Sequence, residues 1–239
     1  MRELKDYEQP LLKACEWANI ELTDDMLDKF YAYFQLLVEW NEKINLTTIT
    51  QINDVYVKHF ADSIYGGKLL EKNSTLCDIE TGAGFPALVL KIARPDLCVT
   101  LVDALDKRIK FLNAVIETLK LDNITTLHFR AEDKAFKDEY LNYFDTVTAR
   151  AVASMPTLSE YCLPFVKVGG KFVAYKSDKI DDELNASKNA FAILGGQFVK
   201  NHLYNLDENT TRLLVEVKKT KKTDSKFPRD KNRPKTKPL

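Results

Sequence analysis

Ten consecutive residues hold the densest chemical signal in the chain. Asp78-Ile79-Glu80-Thr81-Gly82-Ala83-Gly84-Phe85-Pro86-Ala87 reads as a strand end, a glycine turn and the opening of a helix. Gly82 and Gly84 let the backbone approach a ligand closely, and the N-terminus of the following helix favours negative charge. Asp103 follows Gly84 by nineteen residues, at the end of the next expected strand, where a carboxylate can accept from both hydroxyls of a ribose. A lone Gly-x-Gly is a weak signal. The turn and the acid together, in an alternating chain, point to a nucleoside-containing ligand.

Those residues need a scaffold that gathers strand ends. Runs of β-branched and apolar residues predict strands at 75–79, 99–103, 125–129, 145–149, 171–175 and 213–217, with another near 197–203. Between the first pair, Pro86 suits the first turn of a helix that stops before Pro95. Between the second, Asp106 is expected to cap a helix burying Ile109, Leu112, Val115, Ile116 and Leu119. A helix carrying Pro164 is expected before Gly169-Gly170, and another over 181–194, ending at Gly195-Gly196. Ahead of residue 73 the pattern is helical. Thr23 is an N-cap, Leu27, Phe30, Tyr31, Phe34, Leu37 and Val38 recur on one face, and an earlier helix around 11–18 packs against them. The class is therefore α/β: a mainly parallel sheet with helices on both faces, plus an N-terminal helical extension. The expected divisions are a helical region 1–52, a sheet domain 53–217 and a basic tail 218–239, all one structural unit. Ligands of such sheets sit at the carboxyl ends of the strands, which selects Glu80 to Phe85, Asp103, Arg130 to Glu132, Arg150 and Lys176.

Lys+Arg 35 balance Asp+Glu 35, which taken whole argues against a nucleic-acid binder. The balance hides a split. From Lys218 to Leu239 there are ten Lys/Arg and two Asp, net +8, so the residues before them carry net −8. An acidic body with a basic tail suggests contact with a polyanion. Hydrophobic residues at 45% permit a packed core and exclude global disorder. No uncharged apolar run approaches the roughly 18 residues of a membrane span, and Met1-Arg2-Glu3-Leu4-Lys5-Asp6 is unlike a signal peptide, so a cytoplasmic protein is expected. Cys15, Cys77, Cys98 and Cys162 lie far apart without C-x-x-C spacing, so buried thiols are expected and not a metal site or a disulfide framework.

Gly82-x-Gly84-x-x-Ala87 also fits a dinucleotide fingerprint, which leaves a nicotinamide (NAD)-dependent oxidoreductase as an alternative. Asp78 ahead of the turn and Ala131-Glu132 after the third strand instead follow the style of S-adenosylmethionine enzymes, and no hydride-site constellation is found. Further motifs run in order over nearly the whole chain. They are Trp40-Asn41-Glu42-Lys43-Ile44-Asn45-Leu46-Thr47, Lys58-His59-Phe60-Ala61-Asp62-Ser63, the turn running into Phe85-Pro86, and Val102-Asp103 followed by Lys107-Arg108. After these come Arg130-Ala131-Glu132, Thr148-Ala149-Arg150-Ala151 and the closing Pro228-Arg229 to Pro238-Leu239. In these motifs the sequence resembles the bacterial RsmG (GidB) family. The resemblance implies a class I, Rossmann-like methyltransferase that moves a methyl group from S-adenosylmethionine to N7 of one guanine. That guanine lies in a 16S rRNA loop near the decoding site, so the small ribosomal subunit is the implied partner, with no metal and no membrane. The residues agree with such a target. Residues 145–153 hold neither an Asn/Asp-Pro-Pro-aromatic motif nor a cysteine, and a ring-nitrogen lone pair needs no general base and no covalent intermediate.

By resemblance, Gly82, Gly84 and Phe85, preceded by Asp78, hold the methionine end of the cofactor. Asp103 takes the ribose, Ala131 and Glu132 the adenine region, and Arg150 matches a cofactor-site arginine. Arg130 and Lys176, at neighbouring strand ends, are expected to guide RNA phosphate or the target base, with a solvated strand-end lysine as the plain alternative for Lys176. His59 is expected either to contact substrate or to be a satisfied structural histidine, and Asn41 and Asn45 to fix the join between helices and sheet. The tail lacks apolar periodicity and is expected to contact RNA, so that its removal after Val217 weakens rRNA association and leaves cofactor affinity unchanged. The chain departs from the family pattern at Glu80, Ala87 and Asn232, where glycine is usual. The Glu80 carboxylate is expected to lower cofactor affinity, with pairing to the cofactor's ammonium or sulfonium as the alternative, and the first outcome keeps open a non-catalytic RNA-binding or ribosome-assembly protein.

Overall fold

A computed structural model describes residues 3–150 and 153–239, so Met1, Arg2 and the Ala151 that closes the Thr148 motif lie outside the described residues. The helical layer comprises α1 (Gln9–Ala18), α2 (Asp24–Ile44), α3 (Ile52–Val55), a π-helical stretch Tyr56–Ala61 and α4 (Asp62–Ile64), and a 3-10 turn carries it on to Leu69. Thr23 Oγ1 accepts from the Met26 amide, as an N-cap should. Asn41 Oδ1 accepts from the amides of Leu46 and Thr47 at 2.6 and 2.8 Å, and Asn45 ends α2 in the left-handed region, so both asparagines fix the chain's exit from α2, within the helical layer. Leu27, Phe30 and Leu37 are buried as expected. The rotation differs from the sequence expectation by part of a turn, because Tyr31 is 39% exposed and Tyr33 takes the interior.

Seven strands follow: β1 (Thr75–Ile79), β2 (Cys98–Asp103), β3 (Ile124–His128), β4 (Phe144–Arg150), β5 (Val166–Ser177), β6 (Gly196–Asn205) and β7 (Thr211–Lys219). They form one sheet in the order β3-β2-β1-β4-β5-β7-β6, parallel from β3 to β5 and antiparallel for β7 and β6. α5 (Ala87–Ala93) and α6 (Asp106–Thr118) pack with the helical layer on one face. α7 (Lys134–Tyr140), α8 (Met155–Cys162), α9 (Asp181–Ala186) and α10 (Lys188–Leu194) cover the other. The strand order reverses between β1 and β4, which is where a doubly wound sheet opens a crevice at its carboxyl edge.

Four local expectations are corrected. Asp106 does not cap α6: it sits in the first turn paired with Lys110, and Asp103 Oδ1 accepts from the amide of the true N-cap, Leu105. Pro164 lies in a 3-10 turn after α8, and β5 has already begun before Gly169-Gly170. The helix expected over 181–194 is broken at buried Ser187, whose hydroxyl donates back to the Glu183 carbonyl. Cys15, Cys77 and Cys162 are buried thiols, whereas Cys98, at the edge of β2, is exposed.

The C-terminal segment is a packed strap. Lys219 and Thr223 are buried, with the Lys219 amine donating to the Leu163 carbonyl and to Thr223 Oγ1, and Phe227 enters the second core. Glu160, fully buried, accepts from the Arg229 amide, Nε and Nη2 at 2.7 to 2.8 Å, and Thr157 Oγ1 donates to the Pro234 carbonyl within α11 (Arg233–Thr236). The register places Lys218 opposite Lys171, at the amino end of β5, and Arg212 opposite Ser177 at its carboxyl end. The basic residues thus start at the sheet edge remote from the crevice, and the strap brings Asn232 back to it.

Candidate functional site

Asp78 is the pin of the glycine turn. Fully buried in β1 opposite Thr148 of β4, it accepts from Thr81 Oγ1 at 2.7 Å, Thr148 Oγ1 at 2.9 Å and the Ala87 amide at 3.4 Å. Burial pushes its carboxyl up to about 6 against those hydrogen bonds. It therefore holds the turn from below and does not face the ligand side. The two glycines differ in what they do. Gly82 has φ +62° and open space where a Cβ would stand, leaving room for a ligand, whereas a Cβ on Gly84, at φ +96°, would lie 2.6 Å from the Tyr33 hydroxyl and 2.9 Å from Leu88. Gly84 is required by packing. Tyr33, whose hydroxyl donates to the Ala83 carbonyl, buttresses the turn from α2.

Glu80 has φ +56°, a left-handed backbone for a residue with a side chain, and that side chain is exposed at the mouth of the turn. Partial burial raises its pKa, and so do the neighbouring carboxylates Asp103 and Glu132, with Lys235 and Arg108 acting against them. Asp103 is 1% exposed and accepts from the Gly82 amide at 2.9 Å, the Leu105 amide at 2.9 Å and Arg108 Nη1 at 3.1 Å. The strand-end acid therefore fastens the turn, and Arg108 shares the lone pairs that ribose hydroxyls would use. A cavity of about 160 Å³ opens beside it, lined by Glu80, Asp103, Arg108, Arg130, Glu132 and, from the strap, Asn232. Ala131 is buried next to it.

A second group assembles where the helical layer meets β4. Arg150 Nη1 lies 2.8 Å from Asp62 Oδ2, both side chains being nearly buried, and its guanidinium sits 4.9 Å from the centre of the Phe85 ring. The Tyr204 hydroxyl donates to the other Asp62 oxygen at 2.8 Å. His59 stacks on Phe85 at 4.5 Å, with Nε2 2.9 Å from Thr47 Oγ1 and Nδ1 3.4 Å from Arg150 Nη2. Nδ1 accepts from the guanidinium, so Nε2 carries the proton. Burial and the Arg150 charge hold the imidazole down at about 3. His59 is neutral at every working pH, and its protonation belongs to the range below about 3. Replacing it with glutamine is expected to lower the rate without changing the shape of the pH profile between 6 and 8; a limb present in the parent and lost in the variant would contradict this.

Two cavities share His59 and Arg150 as a common wall. One, of about 390 Å³, is lined by Thr47, His59, Glu80, Gly82, Phe85 and Arg150. The other, of about 460 Å³, adds Lys58, Asp62, Tyr175, Lys176, Glu183 and Arg212. The structure thus brings Gly82, Phe85, His59 and Arg150 together and places Lys176 in the adjoining space. Lys176 is not a free strand-end lysine. Its Nζ lies 2.7 Å from both Glu183 Oε2 and the Ala153 carbonyl, tying the β4–α8 loop to α9. Arg130, exposed, stands apart from them on the smaller cavity with Glu132. Sequence reasoning assigned no role to Tyr33, Asp62, Arg108, Thr148 or Tyr204. Asp62, Arg108 and Thr148 stood inside quoted motifs, whereas Tyr33 and Tyr204 stood outside them, with partners 50 and 142 residues away that leave no local trace.

The residues fit a nucleoside with a charged tail: a Cβ-free approach at Gly82, an acid at the end of β2, a stacked Phe85 and a flanking guanidinium. Among the described residues no cluster suited to a metal ion is present, and no helix is long and apolar enough to cross a membrane. Among solved structures, the chain is similar to the M. jannaschii TYW2 protein in complex with AdoMet, at a TM-score of 0.50 and 14% identity over 62% of this chain and 70% of that one. It is likewise similar to the Methanococcus jannaschii fibrillarin pre-rRNA processing protein, at 0.50 and 16% over 67% and 74%. These likenesses show the fold alone. Curated relatives named ribosomal RNA small subunit methyltransferase G are far nearer in sequence. That of Lactobacillus helveticus is 49% identical over 92% of this chain and 94% of its own, and that of an Exiguobacterium strain is 46% identical over 97% and 99%. The family model described as GidB, rRNA small subunit methyltransferase G, matches residues 26–214, and with full-length relatives at that identity the chain belongs to this family.

Proposed function

We propose that the 390 Å³ cavity and the 160 Å³ cavity that shares Glu80 and Arg108 with it together hold S-adenosylmethionine, and that the adjoining 460 Å³ cavity receives the target guanine of 16S rRNA for methylation at N7. The observation that carries this reading is the shared wall: His59 and Arg150 border both spaces, so one face of the pair meets the cofactor and the other the base. When bound, the cofactor supplies an electrophilic methyl on its sulfonium. The purine N7 brings a lone pair, so an N–C bond forms as the S–C bond breaks and no proton leaves. Nothing in the site has to act as a base, which agrees with a histidine held neutral.

The residues then do positioning and electrostatics. Gly82 and Phe85 border the methionine end, with Asp78 and Tyr33 holding the turn still. Asp103 accepts from the ribose, Arg108 moving aside or sharing its oxygens. Ala131, Glu132 and Arg130 border the base of the cofactor, which moves Arg130 from the RNA side to the nucleoside side. Lys176 and His59 border the target base, Lys176 acting through the loop it ties.

Charge on the strap supplies the RNA contact. Eight of its basic side chains are exposed, whereas Lys219 is buried and Arg229 is spent on Glu160. Lys231 and Lys237, on the crevice half of the strap, are the pair to test. Reversing both to glutamate is expected to weaken rRNA binding about 10-fold or more at low salt and to flatten the salt dependence. Reversing Lys221 and Lys222 at the remote edge is expected to do less, and equal effects of the two pairs would contradict this placement. Incorporation of labelled methyl into small subunits or free rRNA tests the activity itself; label in neither, with cofactor bound, would leave the non-catalytic RNA-binding alternative.

A further inference from the structure

The smaller cavity is closed from one side by a residue that the sheet does not supply. Asn232 reaches it on the strap, with φ +60°, and its Oδ1 lies 3.3 Å from the Tyr161 hydroxyl that donates to it. The strap cannot drift at this point. Glu160 grips Arg229 three residues before, Thr157 holds the Pro234 carbonyl two residues after, and the Asn232 carbonyl accepts from the amides of Lys235 and Thr236.

The lining sorts by charge. Glu80, Asp103 and Glu132 offer carboxylate acceptors, Arg130 and Arg108 are cationic donors, Arg108 being engaged with Asp103, and the Tyr161 hydroxyl donates to Asn232. With its oxygen occupied, the amide of Asn232 presents Nδ2, a neutral donor with no partner among the described residues. A purine ring carries acceptor nitrogens on its edge and, in adenine, an exocyclic amine that suits a carboxylate. The neutral side-chain donor that suits an adenine ring nitrogen in this cavity is the amide of Asn232.

We propose that Asn232 positions the cofactor by donating through Nδ2 to a ring nitrogen of its adenine, so that the strap forms a wall of the nucleoside site. The inference rests on the cofactor site proposed above. It replaces the expectation that the tail is independent of cofactor affinity: the strap couples the RNA-contacting charges to the nucleoside pocket through a single short segment.

Titration calorimetry of the full chain with S-adenosylhomocysteine and with adenosine decides it. Asn232→Gly keeps the left-handed backbone, so the melting temperature is expected to stay at the parent value while both affinities fall about 5- to 10-fold. Asn232→Asp keeps the acceptor for Tyr161 but cannot donate, and is expected to lose at least as much. In turnover, KM for S-adenosylmethionine rises with kcat unchanged. Asp103→Asn serves as the reference for the site as a whole. Parent affinity in both Asn232 variants with weakened Asp103→Asn overturns this inference alone; parent affinity in all three overturns the site reading and the inference with it.

Discussion

Replacing Glu80 with glycine is expected to raise the affinity for S-adenosylmethionine by roughly 5- to 150-fold, corresponding to about 1 to 3 kcal/mol. Two separable causes act at this residue. The side chain stands at the mouth of the turn, where a glycine at the same φ of +56° would leave the backbone open to the cofactor. The carboxylate also stands in a negative neighbourhood, since Asp103 and Glu132 raise its pKa. It adds charge where the cofactor's own carboxylate must come close. Glu80→Gln separates the causes, because it removes the charge and keeps the side chain and the backbone. The glutamine variant is expected to recover part of the gain and the glycine variant all of it, measured by calorimetric titration. Equal affinity in all three chains would show that the turn tolerates Glu80 without cost. Because strain relief is offset by the larger chain entropy of glycine, fold stability is expected to rise by no more than about 1 kcal/mol.

The second large effect is expected at Arg150. Removing its side chain leaves Asp62, 6% exposed, with Tyr204 as its remaining side-chain partner among the described residues, and breaking a nearly buried pair from one side costs about 3 to 5 kcal/mol. Arg150→Ala also removes the group that lies over Phe85 and donates to His59 Nδ1. Methyl transfer is expected to fall on the order of 100-fold from lost positioning. Stability and activity are distinguished by the double variant Arg150→Met with Asp62→Asn. Denaturant unfolding should return most of the lost stability, since neither partner is then an unpaired buried ion, while the rate should stay low. A double variant that regains both would make Arg150 a structural residue only.

Much of the scaffold was legible because its elements are set by local pattern. The expected strand at 75–79 coincides with β1, and the others fall within the observed strands or within a residue of them. The turn was legible because Gly82, Gly84 and Asp103 follow a spacing fixed by one strand–helix–strand unit. What the sequence hid is long-range. Tyr33 lies inside because Gly84 leaves a space that only the fold brings to α2, and periodicity alone put Tyr31 there. Arg150 was visible as a strand-end residue, but its anchor Asp62 is 88 positions earlier. The strap gave no periodic signal because its buried residues, Lys219, Thr223 and Phe227, are held by side-chain hydrogen bonds and one aromatic, not by a repeating face. Of its ten lysines and arginines only Lys219 and Arg229 are taken into the fold, so their count overstated the exposed cations by two.

The central claim is methyl transfer to a ring nitrogen by positioning alone. Its most direct measurement is the mapping of label after small subunits lacking the modification are incubated with the chain and methyl-labelled S-adenosylmethionine, in the parent and in Glu80→Gly. The predicted result is a single labelled guanine in 16S rRNA, carrying its methyl at N7 and labelled faster by the glycine variant at limiting cofactor. Label on an exocyclic amine, on a ribose hydroxyl or scattered over many guanines would contradict the account.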